Sequence, residues 1–252
     1  MEPVAAHIST GSHVISIKGL SKSFGDHVVL DNLSLQLARG ETKVVLGRSG
    51  SGKSVLIKCI IGLLLPDAGE IMVLGNDIIQ LDPDEMDQVR VKIGFLFQSN
   101  ALYDSMTVRE NLEFPMRRHT IGISDNEAES RIKEVLKNVG LAHTIDMMPS
   151  ELSGGMQKRI ALARTLILRP EIILYDEPTT GLDPVTGREI TSLIKSLQRQ
   201  YNTSAIIISH DMKCVKATAD SVAVLIDGKC YAENTYDVLE QSNDPYVKQF
   251  FE

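Results

Sequence analysis

The run Gly47-Arg48-Ser49-Gly50-Ser51-Gly52-Lys53-Ser54 constrains this 252-residue chain more tightly than any other segment. It fits G-x-x-x-x-G-K-[ST] and sits between an apolar run, Thr42–Leu46, that reads as a strand and a helical pattern that begins at Ser54. Its glycines let the backbone curl until successive N–H groups point into one hollow, and a helix N-terminus adds partial positive charge to it. Such a hollow suits the phosphates of a nucleotide. Lys53 would reach the β- and γ-phosphates and the Ser54 hydroxyl would ligate Mg²⁺. The candidate binding segment runs on to Val55.

The strand before this loop has companions. Val14–Ile17, Ile93–Phe97, Ile172–Tyr175 and Ala205–Ile208 are short and rich in β-branched residues. The last three are apolar almost throughout, as strands buried on both faces of a parallel sheet must be. Between them lie helical patterns: Ile132, Val135, Leu136 and Val139, with a capping-box start at Ser124 and Glu127, and Ile190, Leu193, Ile194 and Leu197 after Pro184. Strands alternating with helices imply an α/β fold with a parallel core. The front end differs, since Val14–Leu37 and Glu70–Ile79 read as antiparallel strands with a tight turn at Gly75-Asn76. A hairpin is predicted around Asp227-Gly228, and the stretch between Phe97 and Glu171 carries no strand pattern, which predicts a helical insertion.

Two further segments carry chemistry. Ile172–Tyr175 runs straight into Asp176-Glu177-Pro178, and adjacent carboxylates at the end of a buried strand are costly unless they face a cation or a polar site. Asp176 is placed to hold Mg²⁺ through water, and Glu177 to orient and polarise an attacking water. In Leu152-Ser153-Gly154-Gly155-Met156-Gln157, Ser153 reads as an N-cap, and two glycines allow close backbone approach at the start of a helix that runs to Leu168. That helix start is a second potential anion site.

Composition removes several classes. With 26 Lys+Arg against 33 Asp+Glu, the net charge of −7 argues against a broad basic surface, so no nucleic-acid partner is expected. The three cysteines, Cys59, Cys214 and Cys230, lie far apart with no C-x-x-C pair, which disfavours a disulfide scaffold or a cysteine zinc site and fits a reducing compartment. No segment reaches the ~18 uninterrupted apolar residues of a membrane span. Residues 1–13 read as a flexible leader, since they lack the basic-then-apolar layout of a signal peptide.

Taken together and in this order, the motifs resemble those of ATP-binding cassette (ABC) ATPases, over about Val14 to Phe250. The resemblance implies an ATP-hydrolysing P-loop fold of one domain, 14–250. A RecA-like parallel core with an antiparallel β lobe (14–98 and 169–250) would carry a mainly helical signature lobe (99–168). It matches Phe24 to an aromatic that stacks on adenine, and Gln98 to a glutamine that senses Mg²⁺ and water. His210 matches a switch histidine on the γ-phosphate and Asp183 a loop joining two sites. It further implies a head-to-tail pair of chains, in which Ser153, Gly154 and Gly155 of one copy cap the ATP at Lys53 of the other.

Met156 and Tyr175 replace the commoner glutamine and aliphatic residue of that family. With Asn111–Met116 and Asp244–Phe250, they look like the ATPases of MCE-linked phospholipid transporters of the Mla type. The expected partners are then an integral membrane permease, docked around Ser99–Arg118, and an MCE-domain lipid-binding protein. The protein would act as a peripheral subunit at the cytoplasmic face of a bacterial inner membrane. Two alternatives stay open: an ABC importer or exporter for another substrate, and a soluble scaffold ATPase of the iron–sulfur assembly type.

Overall fold

The computed structural model describes residues 13–119 and 123–252. The expected leader therefore lies outside the described residues, except for His13, which already belongs to a strand. The first sheet is antiparallel, built from β1 (His13–Phe24), β2 (His27–Ala38), β4 (Ala68–Val73) and β5 (Asn76–Asp77) in the order β2-β1-β4-β5. The second has six strands in the order β10-β9-β3-β8-β7-β6: β3 (Thr42–Gly47), β6 (Ile93–Leu96), β7 (Ile172–Asp176), β8 (Ser204–Ile208), β9 (Ser221–Ile226) and β10 (Lys229–Asn234). Every pairing in it is parallel except that of β10 with β9. β3 and β8 are buried at every residue, and this is why their sequences do not alternate.

The helices are α1 (Lys53–Ile60), α2 (Pro83–Val91), α3 (Val108–His119), α4 (Asp125–Asn138), α5 (Gly154–Leu166), α6 (Pro184–Tyr201), α7 (Met212–Thr218), α8 (Tyr236–Glu240) and α9 (Pro245–Lys248). Among the described residues, the stretch from Phe97 to Glu171 holds α3, α4 and α5 and no strand, as its sequence predicts. Ser124 caps α4 by accepting the Glu127 N–H at 3.3 Å. The reciprocal half of the expected capping box is not formed, because the Glu127 carboxylate accepts from Arg131 at 2.6 Å instead. α2 escaped the periodicity reading although Asp82-Pro83-Asp84-Glu85 starts it with a complete capping box.

The turns define the lobes. Val73 pairs with Asn76, so the tight turn consists of Leu74 and Gly75, one residue earlier than expected, both with positive φ (49° and 83°). Asn76 stays in the strand, and its amide donates back to the Leu74 carbonyl at 3.1 Å. Asp227 (φ 46°) and Gly228 (φ 75°) form the expected turn between β9 and β10. The tip of that hairpin presses on β2: a Cβ on Gly228 would lie 2.6 Å from the Val29 carbonyl oxygen, and the Gly228 carbonyl accepts the Asp31 N–H at 3.0 Å. A Cβ on Gly52 would meet the same Val29 oxygen at 2.8 Å. One peptide of the antiparallel sheet is thus gripped from both sides.

Candidate functional site

β3 delivers Gly47 to the C-terminal edge of the parallel sheet, and the chain turns through Arg48–Gly52 into α1. Gly50 and Gly52 have φ of 81° and 99°, a region side-chain-bearing residues avoid. A Cβ on Gly47 would lie 2.8 Å from the Leu225 carbonyl oxygen and closer still to the Ser51 hydroxyl. Lys53 folds back over the loop, its Nζ donating to the Gly47 and Arg48 carbonyls at 2.7 and 2.9 Å. Burial lowers the pKa of this ammonium, against the pull of Glu177 and Asp176.

β7 brings Asp176 to the same edge. Burial, and then the charge of Glu177 beside it, push its carboxyl above the ordinary range despite a hydrogen bond from Ser54 and the charges of Lys58 and Lys53. Glu177 takes up a left-handed conformation (φ 49°), and its N–H donates to the Ile208 carbonyl at 3.0 Å. Its carboxylate accepts from the Thr180 hydroxyl at 3.2 Å and lies 2.9 Å from His210 Nδ1. A non-glycine residue in that region costs roughly 1–2 kcal/mol, here at the residue that aims the carboxylate.

Gly47–Gly50 and Gly52–Val55 line one cleft of about 900 Å³ together with Gln98, Asp176, Glu177 and His210. Ser51 lines an adjoining cavity that shares Arg48, Ser49 and Gly50 with the main cleft. His27, Val29, Ile208, Gln249 and Phe250 complete the wall of the main cleft. None of these five is among the residues that the sequence marks as site candidates. Gln249 accepts a hydrogen bond from the Arg48 guanidinium, so the C-terminal segment is tied to the phosphate loop. Phe24 is 48% exposed at the end of β1 and does not line this cleft; Lys22 Nζ lies 5.7 Å from its ring.

Oxygen donors suited to Mg²⁺ converge in the cleft: the Ser54 hydroxyl, the Gln98 amide and the Asp176 carboxylate. Among the described residues, no group of three or more His, Cys, Asp or Glu forms a metal cluster. A cation held here would therefore share its coordination with phosphate oxygens, as Mg²⁺ commonly does.

Ser153, Gly154, Gly155 and Asp183 stand apart from this cleft. Ser153 caps α5 by accepting the Met156 N–H at 3.3 Å, and Asp183 caps α6 by accepting the Val185 and Thr186 N–H groups at 2.9 and 3.1 Å. The two helix starts touch, because a Cβ on Gly155 would lie 2.7 Å from the Thr186 methyl. Arg159 and Glu189 join the same helices by an ion pair of 2.7 Å. Met156 is partly buried against the core, which accounts for an apolar residue at that position.

Residues 30–180 match the family model described as ABC transporter. The intermembrane phospholipid transport system ATP-binding protein MlaF of Haemophilus influenzae is 42% identical over 238 residues, which covers 94% of this chain and 90% of the relative. A probable ribonucleotide transport ATP-binding protein, mkl of Mycobacterium leprae, is 39% identical over 236 residues, covering 94% and 68%. Among solved structures, the dimeric post-hydrolysis state of the ATP-binding cassette MJ0796, bound to ADP and Pi, superposes with a TM-score of 0.79 at 34% identity, covering 88% of this chain and 98% of that one.

Proposed function

The chain belongs to the ABC transporter family, and from that premise we propose that it is the ATP-hydrolysing subunit of a transporter that moves phospholipid between inner and outer membranes. The observation that carries this reading is the meeting of the Gly47–Ser54 loop, Asp176, Glu177, Gln98 and His210 in one cleft, with Ser153–Gly155 outside it. A site built this way is half a site. The dimeric state of the similar cassette supports a pair of chains, and two copies set head to tail would bring the capped start of α5 in one copy to the phosphates held by the other.

Each residue then has a task. Backbone N–H groups of the loop and the Lys53 ammonium hold the β- and γ-phosphates. Ser54, Gln98 and Asp176 are the residues that would hold Mg²⁺, which when bound neutralises charge developing on the phosphates. Glu177 orients the attacking water, and His210, 2.9 Å from it, sits where it can hold both that carboxylate and the γ-phosphate. Asp183 caps the helix that packs on Gly155, so it links the loop after β7 to the capping surface. Contacts to the γ-phosphate from both copies exist only before hydrolysis, so ATP favours the closed pair and its cleavage releases it.

No helix among the described residues is long and apolar enough to cross a membrane. The membrane-spanning part of such a machine is a partner, and a groove of about 430 Å³ beside α3 and α5 is suited to receive it. Phe97, Tyr103 and Phe114 are exposed there, with the Tyr103 and Phe114 rings 5.1 Å apart. The buried Asn111 amide sets Tyr103, accepting from its N–H at 2.9 Å and donating to its carbonyl at 3.1 Å. We assign this groove to a short helix of an integral membrane permease. An MCE-domain lipid-binding protein is proposed as a further subunit, and the inner membrane's cytoplasmic face as the working place. This apolar groove favours a transporter over a soluble scaffold ATPase.

The mkl relative motivates a second reading, transport of ribonucleotides. Affinity purification from a cell that expresses the chain, followed by reconstitution of whatever permease accompanies it, separates these. ATP-dependent transfer of labelled phospholipid between vesicles supports the first reading. Ribonucleotide uptake without lipid transfer supports the second, and recovery without any membrane protein overturns both.

A further inference from the structure

Lys158 is only 2% exposed, yet its ammonium has no carboxylate partner within ion-pair distance among the described residues. Its Nζ donates to the main-chain carbonyl of Gln98 at 2.9 Å. Burying an ammonium against a single neutral acceptor is unfavourable, and an apolar side chain of similar length would suit such a place better. Burial pulls this lysine down to about 8, with Asp176 acting the other way.

The turn it holds is strained. Asn100 and Ala101 have φ of 62° and 51°, consecutive left-handed conformations without glycine, and the buried Asn100 Oδ1 has no hydrogen-bond partner. Arg164 donates to the Ala101 and Asn100 carbonyls at 2.8 and 3.0 Å, and its guanidinium lies 5.8 Å from the Tyr103 ring in the apolar groove. Two cations of α5 therefore claim three carbonyls of the turn that carries Gln98. The same helix begins at the Ser153 cap and Gly155.

We propose that Lys158 is a positioning residue for hydrolysis: through the Gln98 carbonyl it locks the turn bearing Gln98 to the helix bearing Ser153 and Gly155, so that the two move as one body. This rests on the proposed role of Gln98 at the nucleotide. Seating of Ser153 and Gly155 on the γ-phosphate of the other copy would then carry Gln98 into place in its own cleft, through a continuous hydrogen-bonded path.

The test compares Lys158→Met and Lys158→Gln with the unaltered protein by steady-state hydrolysis of Mg-ATP and by thermal unfolding. Expected for Lys158→Met is a fall in kcat of about tenfold or more with a change in KM for ATP under about threefold, and a melting temperature equal or higher, since a costly buried charge has gone. Lys158→Gln, whose amide still donates, should recover at least threefold of the lost kcat. A kcat within twofold for the Met variant overturns the proposal, as does a loss of kcat that tracks a loss of melting temperature with no recovery by glutamine. Lys53→Ala serves as the reference: full hydrolysis by that variant would instead overturn the assignment of the nucleotide site itself.

Discussion

His210 Nδ1 lies 2.9 Å from the Glu177 carboxylate, although the two residues follow different strands and are thirty-three positions apart in the chain. The contact joins the ends of β7 and β8 across the mouth of the cleft, and the Glu177 N–H to Ile208 carbonyl bond of 3.0 Å reinforces it. A carboxylate held this way is aimed before the nucleotide arrives. Glu177→Gln should keep ATP binding but lower hydrolysis by about 10²–10⁴-fold, the usual contribution of a positioned base. With ATP it should also accumulate as a dimer on size-exclusion chromatography. Hydrolysis at the normal rate would remove Glu177 from this role.

Lys53 closes the loop on itself by donating to the Gly47 and Arg48 carbonyls, and the same ammonium is available to phosphate. Lys53→Ala should weaken ATP affinity about tenfold or more, the loss expected for a charge-assisted hydrogen bond. Equilibrium titration with a fluorescent ATP analogue measures this directly.

Ser153 acts on a different quantity, because it does not line its own chain's cleft. Ser153→Ala should cost about 1 kcal/mol of stability through the lost cap. ATP binding by the single chain should persist while hydrolysis falls about tenfold at every protein concentration. Full activity in this variant would exclude the two-copy site.

Gly228 faces the Val29 carbonyl with no room for a methyl group and holds φ at 75°. Gly228→Ala should therefore destabilise the fold by about 1–3 kcal/mol, the range for forced overpacking. Urea unfolding gives the value, and an unchanged midpoint would show that the hairpin tip moves freely off β2.

Glu41 supplies a pH dependence. Burial raises its pKa, but hydrogen bonds from Ser221, the Ala38 N–H and Lys43, with the Lys43 charge, outweigh this and hold the carboxyl below its usual range. The unfolded chain then takes up the proton first, so the contribution is complete above about pH 4.5 and is lost as pH falls through the lower folded-state value. Glu41→Gln should melt below the unaltered protein at neutral pH, and the gap should narrow once the pH falls below about 4.5. A gap constant with pH would contradict this.

The sequence disclosed most about those parts of the site that are contiguous in the chain. Gly47–Ser54 and Asp176-Glu177 are each a strand end followed by a turn, so local pattern and chemistry coincide there. His27, Gln249 and Phe250 were not legible as lining residues, because packing of distant segments places them at the cleft. Lys158 was hidden for another reason: a lone lysine in a polar-looking helix start, KR after Gln157, reads as a solvated face, whereas the structure buries it. Periodicity failed for α2, which buries only Met86 and Val89, and its capping residues were the better signal. The one-residue shift of the turn at Leu74-Gly75 shows the limit of turn chemistry. Asn76 favours turns, but the strand register decides, and it puts a leucine into the left-handed region.

The close approach of Gly52 and Gly228 to the Val29 carbonyl seats β2 directly against both the phosphate loop and the β9–β10 hairpin. A side chain at either position would meet the same oxygen, so a substitution at one or the other would spread the two sheets where the nucleotide hollow begins.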